Sequence, residues 1–246
     1  MQPHVPTCAD ASREDGVVEL RQYTLHPGQR DVLVELFDRA FVEPQEALGM
    51  RVLGQFRDLD DPDRFVWLRG FADMAARARG LAAFYGGPVW AAHRGAANAT
   101  MVDSDDVLLL RPAWPGAGVR SDPRDRVPST AGRLPPGALR IVVFPLMVAA
   151  GDAVIDLARG PVSDRWRAQG ADVRGWYVTE PSANNFPRLP VREGEHVLVG
   201  LAMRVDAIDH ERLEIAPELS DLLAGAPRLL RLAPTARSAV HGAAAA

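Results

Sequence analysis

The chain has 246 residues, 47% hydrophobic and 24% charged, enough for one large or two smaller buried cores. Its net charge of -4 and pI near 5.9 argue against a general nucleic-acid or anionic-membrane surface. All 28 basic residues are arginine, which excludes a Schiff-base or P-loop lysine. The single cysteine, Cys8, cannot build an internal disulfide or a multi-thiolate zinc site.

No apolar run reaches the roughly 18 residues needed to span a membrane. The opening MQPHVPTCADASREDG has no basic start followed by an apolar core, so no secretory signal is expected. Residues 1–15 read as a loose tail, the arginine and alanine content as a bacterial coding bias, and a reducing cytoplasm as the expected compartment.

Residues 17–24, VVELRQYT, alternate as a strand, with Val18 and Leu20 on one face and Glu19, Arg21 and Tyr23 on the other. His26-Pro27-Gly28 is a turn. Residues 29–48 carry Val32, Leu33, Leu36, Phe37 and Phe41 at helical spacing, bent or broken near Pro44 and stopped at Gly49. Residues 50–58 and 64–71 are two further strands around the turn LDDPDR. The second of these puts Phe65, Trp67 and Arg69 on one face. Residues 71–84 are helical, Gly86-Gly87-Pro88 interrupts, and residues 89–98 resume the helix. Residues 107–111 form a fourth strand. This βαββαβ order is the ferredoxin-like unit, whose antiparallel sheet has helices on one face only.

Residues 113–137 change character to proline, glycine and charge, and read as a linker. The pattern then returns. Residues 23–37 align without gaps on residues 144–158, pairing Leu25 with Leu146, Asp31 with Asp152, Glu35 with Asp156 and Leu36 with Leu157. A strand at 139–146, a helix at 152–169, strands at 173–179 and 196–205, broken helix at 207–224 around Pro217 and a strand at 229–232 complete a second unit over 138–236. Residues 237–246 read as a frayed tail.

The expected fold is therefore α+β: two ferredoxin-like βαββαβ units in tandem, their antiparallel sheets packed face to face around one barrel, an intrachain pseudo-dimer. About eight strands can enclose side chains or one small ligand. Glu19, Arg21, Tyr23, Trp67 and Arg69 are expected to line the interior. Val142 stands where Arg21 does, so the second half reads as a structural lid.

VELRQYTLHPGQRDVLVELF, MRVLGQFRDLDDPDRFVWLRGF and FYGGPVWAAHRGAANATMVDSDDVLLLRP resemble the NIPSNAP family of the dimeric α+β barrel superfamily, over about residues 17–112. The resemblance implies tandem ferredoxin-like units. It implies no single activity, since the superfamily includes cofactor-free monooxygenases, haem degraders, dehydratases and cyclases.

The catalytic candidates are His93, Arg69, Arg21 and Tyr23. His93 reads as a general base or axial ligand at the barrel mouth, or as a helix histidine bonded to backbone. Arg21 and Arg69 read as guanidinium groups holding an anionic or enolate oxygen, or as cross-strand partners of Glu19. The substrate-binding candidates are Trp67, Trp90, Glu19, Gln55, Tyr85 and Asn98, with packing the alternative for Tyr85 and a helix C-terminus the alternative for Asn98. Gly86-Gly87-Pro88 lacks phosphate-loop spacing, and no GxxxxGK[ST], HExxH or GxSxG occurs. Asp58, Asp60, Asp61 and Asp63 read as a solvated turn rather than a calcium loop, given Pro62 and no downstream Glu.

These readings point to a cytoplasmic, metal-free and cofactor-free enzyme of secondary or aromatic metabolism. Its reaction would be proton transfer, cyclisation or oxygenation of an enolisable, hydrophobic or aromatic small molecule. The alternatives are a haem-binding or haem-degrading protein, with His93 and Trp67 involved, and a non-catalytic accessory module. No nucleic-acid or membrane partner is expected, and outer faces remain that can pair two chains.

Overall fold

The computed structural model describes residues 14–122, 124, 126, 134–204 and 217–242. Eight strands are present among them: β1 Val17–Leu25, β2 Arg51–Asp58, β3 Arg64–Phe71, β4 Met101–Pro112, β5 Ala138–Leu146, β6 Asp172–Thr179, β7 His196–Arg204 and β8 Arg228–Pro234. The helices are α1 Arg30–Ala40, α2 Val42–Glu46, α3 Met74–Tyr85, α4 Pro88–Asn98, α5 Asp152–Leu157 and α6 Ser163–Ala168.

The strands close into one antiparallel barrel in the order β1-β3-β2-β8-β5-β7-β6-β4. Within it β4-β1-β3-β2 come from the first half of the chain, and β8-β5-β7-β6 repeat that order from the second. The halves join edge to edge through β2–β8 and β4–β6. Closure leaves neither sheet with a free edge.

Each half folds locally as its pattern predicts. Gly28 takes φ 74° in the turn that returns β1 to α1. The predicted long first helix is split at Phe41 into α1 and α2, so Pro44 lies within the first turn of α2, where a missing N–H does no harm. Pro88 likewise occupies the first turn of α4, and Asp73 caps α3 by accepting from the Ala76 N–H at 2.6 Å. β4 starts at Met101, before the expected 107, because its acidic stretch pairs with β1 despite its polarity (Gln22 opposite Asp106, Thr24 opposite Asp103). The predicted helix at 152–169 is interrupted by a π-helical turn, Ala158–Val162, which accommodates Pro161. Of the predicted helix at 207–224, residues 207–216 lie outside the described residues; the end is a short 3-10 helix, Pro217–Leu222.

Three expectations about loose segments are corrected. Residues 113–122 are anchored: Ala117 and Val119 are buried, the Trp176 N–H donates to the Ala117 carbonyl at 2.9 Å, and the Val119 N–H donates to the Tyr177 hydroxyl at 2.7 Å. The terminal segment is not frayed up to residue 242, since Ser238, Ala239 and Val240 are buried. At the other end Asp15, in the expected tail, is buried with its carboxylate 3.2 Å from Arg51. Short apolar residues among polar ones hide this packing from a composition argument.

The larger correction concerns the barrel interior. It is filled by mostly aliphatic side chains, among them Val18, Leu20, Leu68, Leu110, Ile141, Val199, Leu201 and Leu232, with Phe56, Tyr177, Val119 and Val240 joining them. Each contributes about 1.5–3 kcal/mol by leaving water. Glu19, Arg21, Tyr23, Trp67 and Arg69 do share one face, as the alternation predicts, but it is the outer face, beneath the helices of the first half. The reason is polar satisfaction. Guanidinium groups inside the barrel would face only aliphatic side chains, whereas the helix layer offers hydrogen-bond partners.

Candidate functional site

Glu19 and Arg69 stand opposite one another on β1 and β3, and so do Arg21 and Trp67. Glu19 Oε2 accepts from Arg69 Nε at 3.0 Å, from Arg69 Nη2 at 2.6 Å and from Arg21 Nη1 at 3.1 Å. Its other oxygen accepts from Arg77 Nε, on α3, at 2.8 Å. One carboxylate therefore holds three guanidinium groups, and all four side chains are at most 1% exposed. Among the described residues Glu19 is the one acid any of the three touches, so the cluster carries two uncompensated positive charges.

Neutral oxygens take several of the remaining donors. Gln45 on α2 accepts from Arg69 Nη1 at 2.9 Å, and its own amide donates to the Phe41 carbonyl, which fixes its direction. Tyr23 Oη accepts from Arg21 Nε at 3.0 Å. Arg77 Nη1 donates to Asn184 and Asn185, at 3.1 and 2.7 Å, from the loop between β6 and β7. Trp67 lies edge-on to Phe37 and Tyr23, with the Arg69 guanidinium 4.8 Å from its ring. Its indole N–H is buried and meets no acceptor among the described residues.

These contacts set the charges. Burial works to raise the Glu19 carboxyl, but Arg69, Arg21 and Arg77 outweigh it and hold the pKa at about 2. Burial opposes the Arg21 charge, and its bond to Tyr23 and the charge of Glu19 reverse that, leaving its pKa above the ordinary value. Arg69 is likewise raised: burial opposes it, and Glu19 prevails. Arg77 ends below its ordinary value, because burial and two neighbouring guanidiniums outweigh its share of Glu19. Burial pushes the Tyr23 phenol up, so it stays protonated.

The other predicted residues separate into two groups. Tyr85 and Trp90 are half-buried and pack together at 4.9 Å; Tyr85 also approaches Arg69, at 5.9 Å, and Phe186 of the β6–β7 loop, at 6.1 Å. His93 is half-buried on α4 against Phe41, at 6.0 Å, on the rim rather than in the charged cluster. It lies in the helix layer outside the sheet, whose inward-facing side chains form a separate, mostly aliphatic core. Asn98, at the last position of α4, faces solvent. Gln55 is buried but is drawn to a different group: its amide donates to Asp38 at 3.3 Å, beside the Thr235 hydroxyl, also at 3.3 Å.

Burial raises the Asp38 carboxyl to about 6 against the opposing effects of Thr235, Arg237 and Arg57. The folded state thus holds this proton more tightly than the unfolded chain does. The associated stability is full below the ordinary aspartate value of 3.8 and lost as pH rises through about 6. Asp38→Asn removes that loss. It is expected to stabilise the protein by about 1–2 kcal/mol at pH 8 and negligibly at pH 4, read from urea midpoints at the two pH values. An equal shift at both would show that Asp38 does not titrate across this range.

Four residues of the site escape the sequence reading: Gln45, Arg77, Asn184 and Asn185. Arg77 alone left a signal. It shares helical spacing with Leu81 and Phe84, and all three are buried on one side of α3. Nothing local marks Asn184 and Asn185 as partners of a first-half arginine.

Among the described residues, the matching layer of the second half shows no such cluster. By strand order and register, Arg140, Val142, Gly200 and Ala202 stand where Glu19, Arg21, Trp67 and Arg69 stand. Trp166 and Trp176 stack at 4.8 Å over Gly200, where an added Cβ would lie 2.5 Å from Trp166 and 2.6 Å from Trp176. Trp176 donates to Ser163 at 2.9 Å, and Ser163 to the Ala158 carbonyl of the π-helical turn at 2.6 Å. Aromatic packing fills the space.

Among the described residues no helix is long and apolar enough to cross a membrane, and no cluster of three or more His, Cys, Asp or Glu could hold a metal ion. No curated protein matches the chain. The fold is similar to that of three solved proteins. One is a candidate monooxygenase from Fusobacterium nucleatum: TM-score 0.57, 7% identity, covering 90% of this chain and 93% of that one. Another is a candidate monooxygenase from Lactobacillus acidophilus: TM-score 0.53, 10% identity, covering 90% and 94%. The third is an anthrone oxidase-like protein: TM-score 0.54, 13% identity, covering 95% and 98%. At these identities the likeness is one of fold. The NIPSNAP family model matches residues 18–114, which contain Glu19, Arg21, Gln45, Trp67, Arg69 and Arg77. Residues 18–114, and with them all of the buried charge cluster except the amides of the covering loop, therefore match the NIPSNAP family model.

Proposed function

We propose that this chain is a small-molecule-binding protein, a fused pair of ferredoxin-like units in which the first keeps a binding site and the second has filled its own. The carrying observation is the buried cluster of three arginines on one glutamate beside Trp67. A folded chain that desolvates two extra positive charges pays heavily for them. A ligand oxygen that gains negative charge there offsets that cost.

The reaction class that suits this arrangement is cofactor-independent chemistry on an enolisable aromatic or hydrophobic substrate. Loss of a proton from the carbon beside a carbonyl leaves the charge on oxygen, where fixed guanidinium donors stabilise it without reorganising. His93, half-buried at the rim, is the proposed proton acceptor. The enolate then reprotonates, cyclises or meets dioxygen. The fold-level likeness to candidate monooxygenases supports this class by analogy.

Anthrone is a suitable first probe, given the name of one neighbour. Exchange of its methylene protons in deuterated buffer, followed by NMR, is expected to run faster with protein than without, and to slow at least tenfold in His93→Ala. Exchange at the buffer rate, or an unchanged variant, would remove the catalytic reading.

Two other readings are tested on the same protein. The packed aliphatic barrel interior favours an accessory module that uses the barrel as scaffold, which predicts no saturable ligand at all. A haem site involving His93 requires a Soret shift on haemin titration that is lost in His93→Ala.

A further inference from the structure

The loop joining β6 to β7 belongs to the second half of the chain, yet it closes over the site of the first. Asn185 donates to the Met74 carbonyl at 2.6 Å, at the start of α3, and Asn184 to the Leu189 carbonyl at 2.9 Å within the loop. Phe186 meets Tyr85, and the Arg192 N–H donates to the Val107 carbonyl on β4 at 2.8 Å. Through this loop Arg77 Nη1 faces two neutral amide oxygens. Asn185 is exposed and Asn184 half-buried, while Arg77 is fully buried. Amide oxygens satisfy a guanidinium donor geometrically but leave its charge uncompensated. A carboxylate in the same place forms charge-assisted bonds, roughly twice as strong as neutral ones.

We propose that the site selects an aromatic ligand bearing an oxyanion, a carboxylate or its phenolate equivalent, which displaces Asn184 and Asn185 from Arg77 and lays its ring against Tyr85 and Phe186. This rests on the small-molecule reading above and deepens it. The occupant is fixed by three observations: the net positive charge of the cluster, the replaceable neutral acceptors on one arginine, and the aromatic pair beside them. Arg77 becomes the specificity-determining residue, and the second half supplies the lid.

The test is calorimetric titration of the full chain with 2-naphthoate and with its neutral isostere 2-naphthamide. The acid is expected to bind at least about tenfold more tightly than the amide. In Arg77→Met the acid should lose at least about tenfold in affinity while the amide changes less than about threefold. Should that variant fail to fold, Asn185→Asp carries the test, because a carboxylate supplied by the loop occupies Arg77 and should weaken the acid selectively. 2-Naphtholate above the naphthol pKa distinguishes a phenolate from a carboxylate preference. Equal affinity for acid and amide, or equal losses in either variant, overturns the charge selectivity and leaves the small-molecule reading standing. Saturable binding of none of the three overturns both.

Discussion

Glu19→Gln is expected to destabilise the protein by about 3–5 kcal/mol or to prevent folding altogether. The substitution preserves shape and removes charge, leaving three buried guanidinium groups with no counterion. Arg21, Arg69 and Arg77 would then repel one another at full desolvation, and glutamine would return only part of the hydrogen bonding. The pH dependence follows from the same contacts. Glu19 is held at about 2 against an ordinary 4.5. Its contribution is therefore present above about pH 4.5 and lost as pH falls toward 2, on the order of 3 kcal/mol in all. Urea unfolding of parent and variant at pH 7 and pH 3 measures both effects, the gap between them narrowing at low pH. A loss below about 1 kcal/mol at pH 7 would mean that water reaches the cluster and screens it, as at exposed ion pairs. A companion variant separates charge from packing. Glu19→Leu with Arg69→Met replaces one pair by apolar groups, and should recover part of the loss suffered by Glu19→Leu alone.

Trp166→Ala is expected to cost about 3–5 kcal/mol, the usual range for emptying the space of a large buried aromatic. Trp166 is fully buried, stacked on Trp176, and close enough to Gly200 that even a methyl there would collide with it. The consequence that matters is locational. If the second half is packing in place of a site, this variant lowers the thermal midpoint while naphthoate binding to the folded protein stays within about threefold of the parent. A Trp166→Ala protein that folds normally but no longer binds would place the ligand in the second half, and would reverse the assignment of roles to the two halves.

Much of this was legible in the residues. Alternation along β1 and β3 correctly put Glu19, Arg21, Tyr23, Trp67 and Arg69 on one face, because the side-chain period of a strand is two. The same period says nothing about which face is which. A strand buried on both sides reads equally well either way, so the assignment to the barrel interior was inverted. Gly200 and Ala202 carry the converse lesson. Alignment alone places Val142 at the position of Arg21, but the equivalence of Gly200 and Ala202 to Trp67 and Arg69 emerged only once β5 and β7 were paired.

The sequence by itself determined the approximate places of most strands and helices and the family resemblance of residues 18–114, since periodicity, capping and turn residues act over a few neighbours. It also pointed to a charged face in the first half, since Val142 stands where Arg21 does. Only the tertiary structure decided that this face lies under the helices, that Gln45 and Arg77 complete the cluster, and that Asn184 and Asn185 reach across to it. Those contacts join residues up to 108 positions apart. Their cause is the need of a buried guanidinium for partners wherever the closed barrel can bring them, and no local pattern records that need.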